Sequence, residues 1–397
     1  MGTRRGDRAR RIRPEAGTGR LARGLAVLVA GGGLLVATAA GVGAGAAGAA
    51  TTSSKQVAAA HKAVIQGMKT PTKINQTQSL PKAPPKGKTV VCLADDNVPS
   101  DYTICSLGVQ PAAKAIGWNY ANIYFTPTNP ASLNSSLISA LAKNPVAVIN
   151  VGGQPTSIYS ASTLARYKSA GVPIVMTNVA SAKPTKTLIG PANTAADSKK
   201  GGTLLSNWII TNSHGKGHVL VVNVPAYSEL NAVATTMKSY LGKNCPGCAV
   251  KVLDLTLPEV AAGQIVSTTV TTLKANPDIK YVVFVTSSFG DGIVSGLKAA
   301  GLTDVKVAGQ DMDPTGAAAL RDNTEAAHTG GPAIPYLGYI SVDLALRNIE
   351  TGAIQSKGDL TAPIQLMTPA NIGNITVWNA PKNALTQFLK LWKVKKS

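Results

Sequence analysis

Two carboxylates one residue apart end an apolar run. In KVAGQDMDP, Lys306 to Pro314, Asp311 and Asp313 follow a strand-like stretch. A D-x-D at a strand end can hold a metal with a nucleotide-sugar, as in a glycosyltransferase. It can instead hydrogen-bond a neutral ligand, or cap the next helix. Metal binding needs further oxygen ligands at matched distance, and no third ligand is evident nearby. Asp313 precedes Pro314 and TGAAALRDN, the spacing of an N-cap before proline at the first helical position. Asp311 is left as the ligand-facing member of the pair.

Other reactive residue types are sparse or badly spaced. His61, His214, His218 and His328 show no metal spacing. TSSFGDG (286–292) lacks the G-x-S-x-G of a nucleophile elbow. The GGQ at 152–154 offers backbone amides, but neither a G-x-G-x-x-G nor a P-loop lysine accompanies it. No catalytic residue, metal or cofactor is therefore expected. Cys245 and Cys248 flank a Pro-Gly turn in NCPGCAV, and Cys92 and Cys105 lie thirteen residues apart. Two local disulfides, 92–105 and 245–248, are the plain reading in an oxidising compartment. A redox role for C-x-x-C fits poorly between a helix and a strand.

These groups need elements to position them. From Lys88 onward short apolar runs alternate with helical segments: TVVCLADD, VAVINVGG and PIVMTNVA in one half, GHVLVVNV, YVVFVTSS and VKVAGQD in the other. Near-continuous apolar runs suit parallel strands buried on both faces. Such alternation predicts an α/β chain of two similar, Rossmann-like lobes with parallel sheets. Ligands of such sheets bind outside the carboxyl ends of the strands. Those ends supply Asp95, Asp96 and Asn97, then Asn150 and Gln154, then Asn178, in the first half. In the second they supply Asn223, Tyr227, Ser228 and Glu229, then Ser287, Ser288, Phe289 and Asp291, then Gln310 and Asp311. Amides, hydroxyls, carboxylates and an aromatic or two make a polyol-binding cleft.

The charge is +20, unevenly placed. Residues 1–23 hold eight arginines against Asp7 and Glu15; beyond them only Arg166, Arg321 and Arg347 remain. With lysine supplying the rest and no basic stripe interleaved with aromatics, a nucleic-acid partner is not expected. After the arginines, Gly24 to Ala50 is apolar and then Gly/Ala-rich, with small-residue ends such as Ala44-Gly45-Ala46. Residues 1–50 thus read as a signal peptide, with a membrane anchor in 24–50 as the rival. Residues 51–87, rich in Pro, Lys, Thr and Gln, read as a disordered linker. The mature protein is expected outside the cytoplasm, secreted or associated with the cell envelope.

From about Lys88 to Pro369 the chain resembles the type I periplasmic binding proteins, the ribose-binding-like solute receptors of ABC transporters. The carriers include KTVVCLADDNVPSDY, VAVINVGGQ, LIGPANTAADSKKGGTLLSNWI, VKVAGQDMDPTG and PAIPYLGYISVDLALRNIETG. The resemblance implies two lobes closing over a small molecule and joined by a three-strand hinge, with crossings near Pro191, His328 and Leu366. The implied boundaries are 88–191 plus 329–365 for the N-terminal lobe, and 192–328 plus 366–397 for the C-terminal lobe. It implies an ABC permease as partner and no catalysis. Where sugar binders carry Asp-Arg after the fourth strand, this chain has Asn178-Val179; where they carry an arginine opening the helix after the sixth, it has about Asn231. Asn-Asp after the eighth strand becomes Ser287-Ser288, and Asp after the ninth is kept as Asp311. A sugar-like or polyol ligand is expected against Asp95, Asp96, Asn97, Gln154, Asn178, Tyr227, Asn231, Ser287, Ser288, Phe289 and Asp311. An envelope sensor docking on a receptor kinase is the alternative use of the same fold.

Overall fold

The computed structural model describes residues 51–96, 99–126, 129–179, 182–192, 195–331, 334–355 and 361–395. Its strands are β1 Thr89–Asp95, β2 Asn119–Phe125, β3 Ala147–Asn150, β4 Ile174–Thr177, β5 Leu188–Ala192, β6 His218–Asn223, β7 Ala249–Asp254, β8 Tyr281–Phe284, β9 Lys306–Gly309, β10 Ala327–Thr329 and β11 Leu366–Met367. Its helices are α1 Ser54–Gly67, α2 Pro99–Thr103, α3 Gln110–Ala115, α4 Pro130–Leu141, α5 Ala161–Ala170, α6 Ala195–Asn212, α7 Ser228–Asn244, α8 Leu257–Ala261, α9 Ile265–Lys274, α10 Ile293–Ala299, α11 Pro314–Arg321, α12 Ile334–Thr351 and α13 Ala384–Leu391. The first five strands form one sheet in the order β2-β1-β3-β4-β5, and the rest form a second in the order β11-β10-β9-β8-β6-β7. All pairings are parallel except β10 with β11.

The apolar runs become buried strands because both faces of each sheet are covered. Along β1, Val90, Cys92 and Ala94 enter the core that includes Tyr336, Leu337 and Ile340 of α12. Val91 and Leu93 point the other way, into a core with Leu133 and Leu137 of α4. The second sheet divides likewise: Val219 and Val221 pack toward α6 and α7, Leu220 and Val222 toward Leu273 of α9 and Ile293 of α10. The period-two alternation of a strand therefore serves two cores rather than one core and solvent.

One crowded contact fixes the segment after β1. Cys92 of β1 is disulfide-bonded to Cys105, in the π-helical turn Ile104–Val109 that joins α2 to α3. Gly108 of that turn meets Gly338 of α12 backbone to backbone: a Cβ on Gly338 would lie 2.5 Å from the Gly108 Cα. Only glycine permits this approach, and it holds α2 at the carboxyl end of β1. Cys245 and Cys248 form the second disulfide, at the end of α7.

The chain passes between the lobes after β5, after β10 and again before β11. Two expectations change. Residues 51–87, expected as a disordered linker, are ordered. Ser53 and Gln56 form a capping box on α1, and Ala60 and Val64 enter the core of the second lobe. The following strand-like arm runs across to the first lobe. Gln365 donates to the Met68 carbonyl at 2.8 Å, the Asn75 N–H donates to Tyr336 Oη at 2.9 Å, and the Leu80 N–H donates to the Leu391 carbonyl at 2.8 Å. Val57, Ala60, Val64 and Met68 face one core at helical spacing and Leu80 enters the other, but the apolar positions are few and set among polar residues and prolines. The tail was expected wholly with the C-terminal lobe. Only β11 joins that sheet; Trp378, Phe388 and Trp392 lie in the core around α12. There Trp392 Nε1 donates to Asp343 at 2.8 Å, and Phe388 meets Tyr336 edge-on at 5.3 Å. Residues 1–50 lie outside the described residues. Among those described, no helix is long and apolar enough to cross a membrane.

Leu80 is 1% exposed, so Leu80→Ala should cost about 2–4 kcal/mol in equilibrium urea unfolding. A change below about 0.5 kcal/mol, the usual range for surface substitutions, would mean that the arm does not dock.

Candidate functional site

Two glycines mark the place where the lobes meet. Gly152 and Gly153 follow β3 with φ of 120° and 70°. A Cβ on Gly152 would lie 2.7 Å from Asp101 Oδ2 and 2.6 Å from Gln154 Nε2. A Cβ on Gly153 would lie 2.6 Å from Glu229 Oε1 and 2.8 Å from the Asn178 carbonyl. Asp101 sits on α2 of the first lobe. Glu229 is the second residue of α7, in the other lobe. The loop thus has a carboxylate from each lobe pressed against its backbone, where any side chain would displace them.

On the first wall, Gln154 is anchored by donation from its Nε2 to the Gly152 carbonyl at 2.8 Å. Asn150 donates to Tyr159 Oη at 2.5 Å and lies 3.5 Å from Gln154 Oε1. On the second wall, Asp311 follows β9 with φ of 53°, and its N–H donates to Thr329 Oγ1 at 3.3 Å. The left-handed turn separates its side chain from that of Asp313. Asp313 Oδ1 instead accepts from the Gly316 N–H at 2.7 Å and from Ser287 Oγ at 3.1 Å, capping α11. The D-x-D is therefore two separate devices. Among the described residues no group of three or more His, Cys, Asp or Glu could hold a metal ion.

Burial dominates the electrostatics. It raises Asp101 well above the usual carboxylate range, and the charge of Asp95 raises it further. Burial pushes Glu229 up to about 8, with its own backbone N–H opposing and the charges of Asp101 and Asp311 adding. Burial takes Asp311 to about 7 against a hydrogen bond from Gln310. The Tyr227 hydroxyl is raised by burial and then by Asp95, Asp101 and Glu229. Five side chains from both lobes thus share one electrostatic neighbourhood. Asp101 Oδ2, Glu229 Oε2 and Asp311 Oδ1 are buried with no hydrogen-bond partner.

Among the residues expected from sequence, Asp95, Gln154, Tyr227 and Asp311 fall in this neighbourhood, and Asn178 borders it through its carbonyl. Asn97 lies outside the described residues. Asp96 is exposed and accepts from Thr126 Oγ1 at 2.8 Å. Asn231 accepts from Asn223, which also donates to Asp254. Ser287 is committed to Asp313, Ser288 lies in the same 3-10 turn, and Phe289 packs against the second lobe's own cores. Asp101 was not singled out from sequence, and Glu229, named among the strand-end groups, was not carried into the expected ligand set. Glu229 does stand at a strand-to-helix junction, whereas Asp101 lies six residues beyond its strand.

The geometry defines a two-lobed α/β protein with buried polar side chains from both lobes gathered at their junction. The chain belongs to the periplasmic binding protein domain family, which matches residues 100–353. That family comprises non-enzymatic solute receptors, so the glycosyltransferase reading of the D-x-D falls away. No curated protein matches the sequence significantly. Among solved structures, an ABC transporter solute-binding protein from Burkholderia graminis in complex with D-arabinose is 19% identical, with a TM-score of 0.60 over 73% of this chain and 98% of that one. One from Mycobacterium smegmatis with bound glycerol is 15% identical, with a TM-score of 0.61 over 74% and 100%. One from Agrobacterium vitis with bound allitol is 19% identical, with a TM-score of 0.58 over 73% and 98%.

A carboxyl raised from about 4.5 to about 8 binds its proton more tightly folded than unfolded. Its contribution to stability is present below the unfolded pKa and is lost as pH rises through the folded one. The ligand-free protein should therefore lose several degrees of Tm between about pH 5 and 9, and Glu229→Gln should flatten that slope. An unchanged slope would show that Glu229 is not buried as described. Asp313→Ala should cost about 1 kcal/mol through the lost cap, measured by urea unfolding.

Proposed function

We propose that this chain is the exported solute receptor of an ABC importer, and that it holds a small hydroxylated ligand between its lobes. The observation that carries this reading is a set of buried carboxyl groups gathered where the lobes meet: Asp101 and Glu229 lie against Gly152 and Gly153, Asp311 acts electrostatically on Glu229, and each of the three has an oxygen with no partner. A sugar or polyol donates hydroxyl protons to such acceptors, and hydrogen bonds to charged groups are the strong ones. Asp101 and Gln154 form the first wall; Tyr227, Glu229 and Asp311 form the second. Because the walls lie on different lobes, a ligand bridging them favours closure, and closure presents a matched pair of surfaces to a permease. The similar structures from Burkholderia graminis, Mycobacterium smegmatis and Agrobacterium vitis hold D-arabinose, glycerol and allitol, which supports the ligand class. Both disulfides suit an oxidising compartment.

Isothermal titration against pentoses, hexoses and alditols tests the reading. At least one should bind, and Asp311→Ala should weaken it about tenfold or more. Absence of heat from the whole panel would overturn it.

A further inference from the structure

Resting on the cleft reading above, we infer that the ligand carries a positive charge, as an amine on a hydroxylated carbon skeleton, and that Asp101, Glu229 and Asp311 receive that amine.

The orphan side-chain atoms of the three acids are all of one kind. Asp101 is 3% exposed and Glu229 9% exposed, and each has a carboxylate oxygen with no partner, as does Asp311. Ionised carboxylates only accept; an ammonium has three donors and no acceptor, whereas a hydroxyl brings an acceptor with every donor. Among the described residues no cation of the protein is paired with these three acids. Among the described residues the ion pairs are Lys82–Glu350, His218–Asp278, Lys280–Asp304, His328–Glu325 and Arg347–Asp343, none of them in the cleft. Arg321 donates to the Ile375 carbonyl and Arg166 is exposed on α5. No Lys, Arg or His is among the groups whose fields act on Asp101, Glu229 or Asp311. The fields that do act are mutual and repulsive: Asp95 on Asp101, and Asp101 and Asp311 on Glu229. A buried charge left unpaired is strongly unfavourable, and a paired one is not. The groups facing Glu229 are Asp101 on α2, Asp95 at the end of β1, Asp311 after β9 and Tyr227 on its own turn. A ligand cation pairs with carboxylates that otherwise stay protonated, so its binding near pH 7 releases protons to the buffer, and a neutral ligand's does not.

The test is isothermal titration of the full chain with three matched pairs: 3-amino-1,2-propanediol and glycerol, 1-amino-1-deoxyarabinitol and arabinitol, glucamine and sorbitol. Each is run at pH 7 in two buffers of different ionisation enthalpy. In at least one pair the amine should bind about tenfold or more tightly than its hydroxyl partner, with net proton release. Glu229→Gln should cut that preference about tenfold and lower the net proton release that accompanies binding of the amine. If neutral members bind at least as tightly as their amines, or if Glu229→Gln leaves the preference intact, the charge inference is wrong and the cleft reading stands. If neither the amines nor any sugar or alditol binds, both are wrong.

Discussion

Carboxyl groups held out of water at the seam between two lobes are the constraint on which the rest of this structure turns. Asp101 comes from one lobe, and Glu229 and Asp311 from the other; burial raises all three, with Asp95 adding on Asp101 and with Asp101 and Asp311 adding on Glu229. A globular protein normally pairs buried charge or leaves it in water. This cluster does neither and keeps its protons instead. On the proposed reading a ligand cation takes the place of those protons, and because the acids come from both lobes, binding and closure would share one source.

The scaffold is built to keep those groups close. The Cys92–Cys105 disulfide and the Gly108–Gly338 contact fix the turn after α2, and with it Asp101. Gly152 and Gly153 leave the room that carboxylates from both lobes occupy. The first turn of α7 carries Glu229, where backbone N–H groups moderate the cost of its charge. Near the hinge, the arm from Met68 to Leu80 and the tail through Trp392 add contacts from α1 and β11 to the first lobe's core.

The fold was legible in the sequence because parallel strands buried on both faces leave unbroken apolar runs. VLVVN and YVVF need no partner to be recognised. The D-x-D was also legible: Asp-Pro before a helical run is a local signal, and Asp313 caps as that signal says. The site was legible only in part. Asp95, Gln154, Tyr227 and Asp311 end strands and could be listed by position. Asp101 follows β1 by a helical turn whose placement depends on the Cys92–Cys105 disulfide and on a glycine contact with the distant α12, so no local pattern marks it. Ser287 and Phe289 end a strand too, but the cap and the cores claim them. The segment 51–87 was misread because its apolar face is short, Val57, Ala60 and Val64 on α1 with Met68 at its end, and the prolines and lysines that follow mask the docking of Leu80.

Native mass spectrometry of the protein as purified, without added ligand, tests most directly the claim that this acidic seam holds a donor-rich small molecule. The account predicts a single bound compound of a few hundred daltons at most, containing nitrogen and several oxygens, and its loss on Asp311→Ala. A bound anion such as phosphate or a carboxylic acid, retained by that variant, would contradict it.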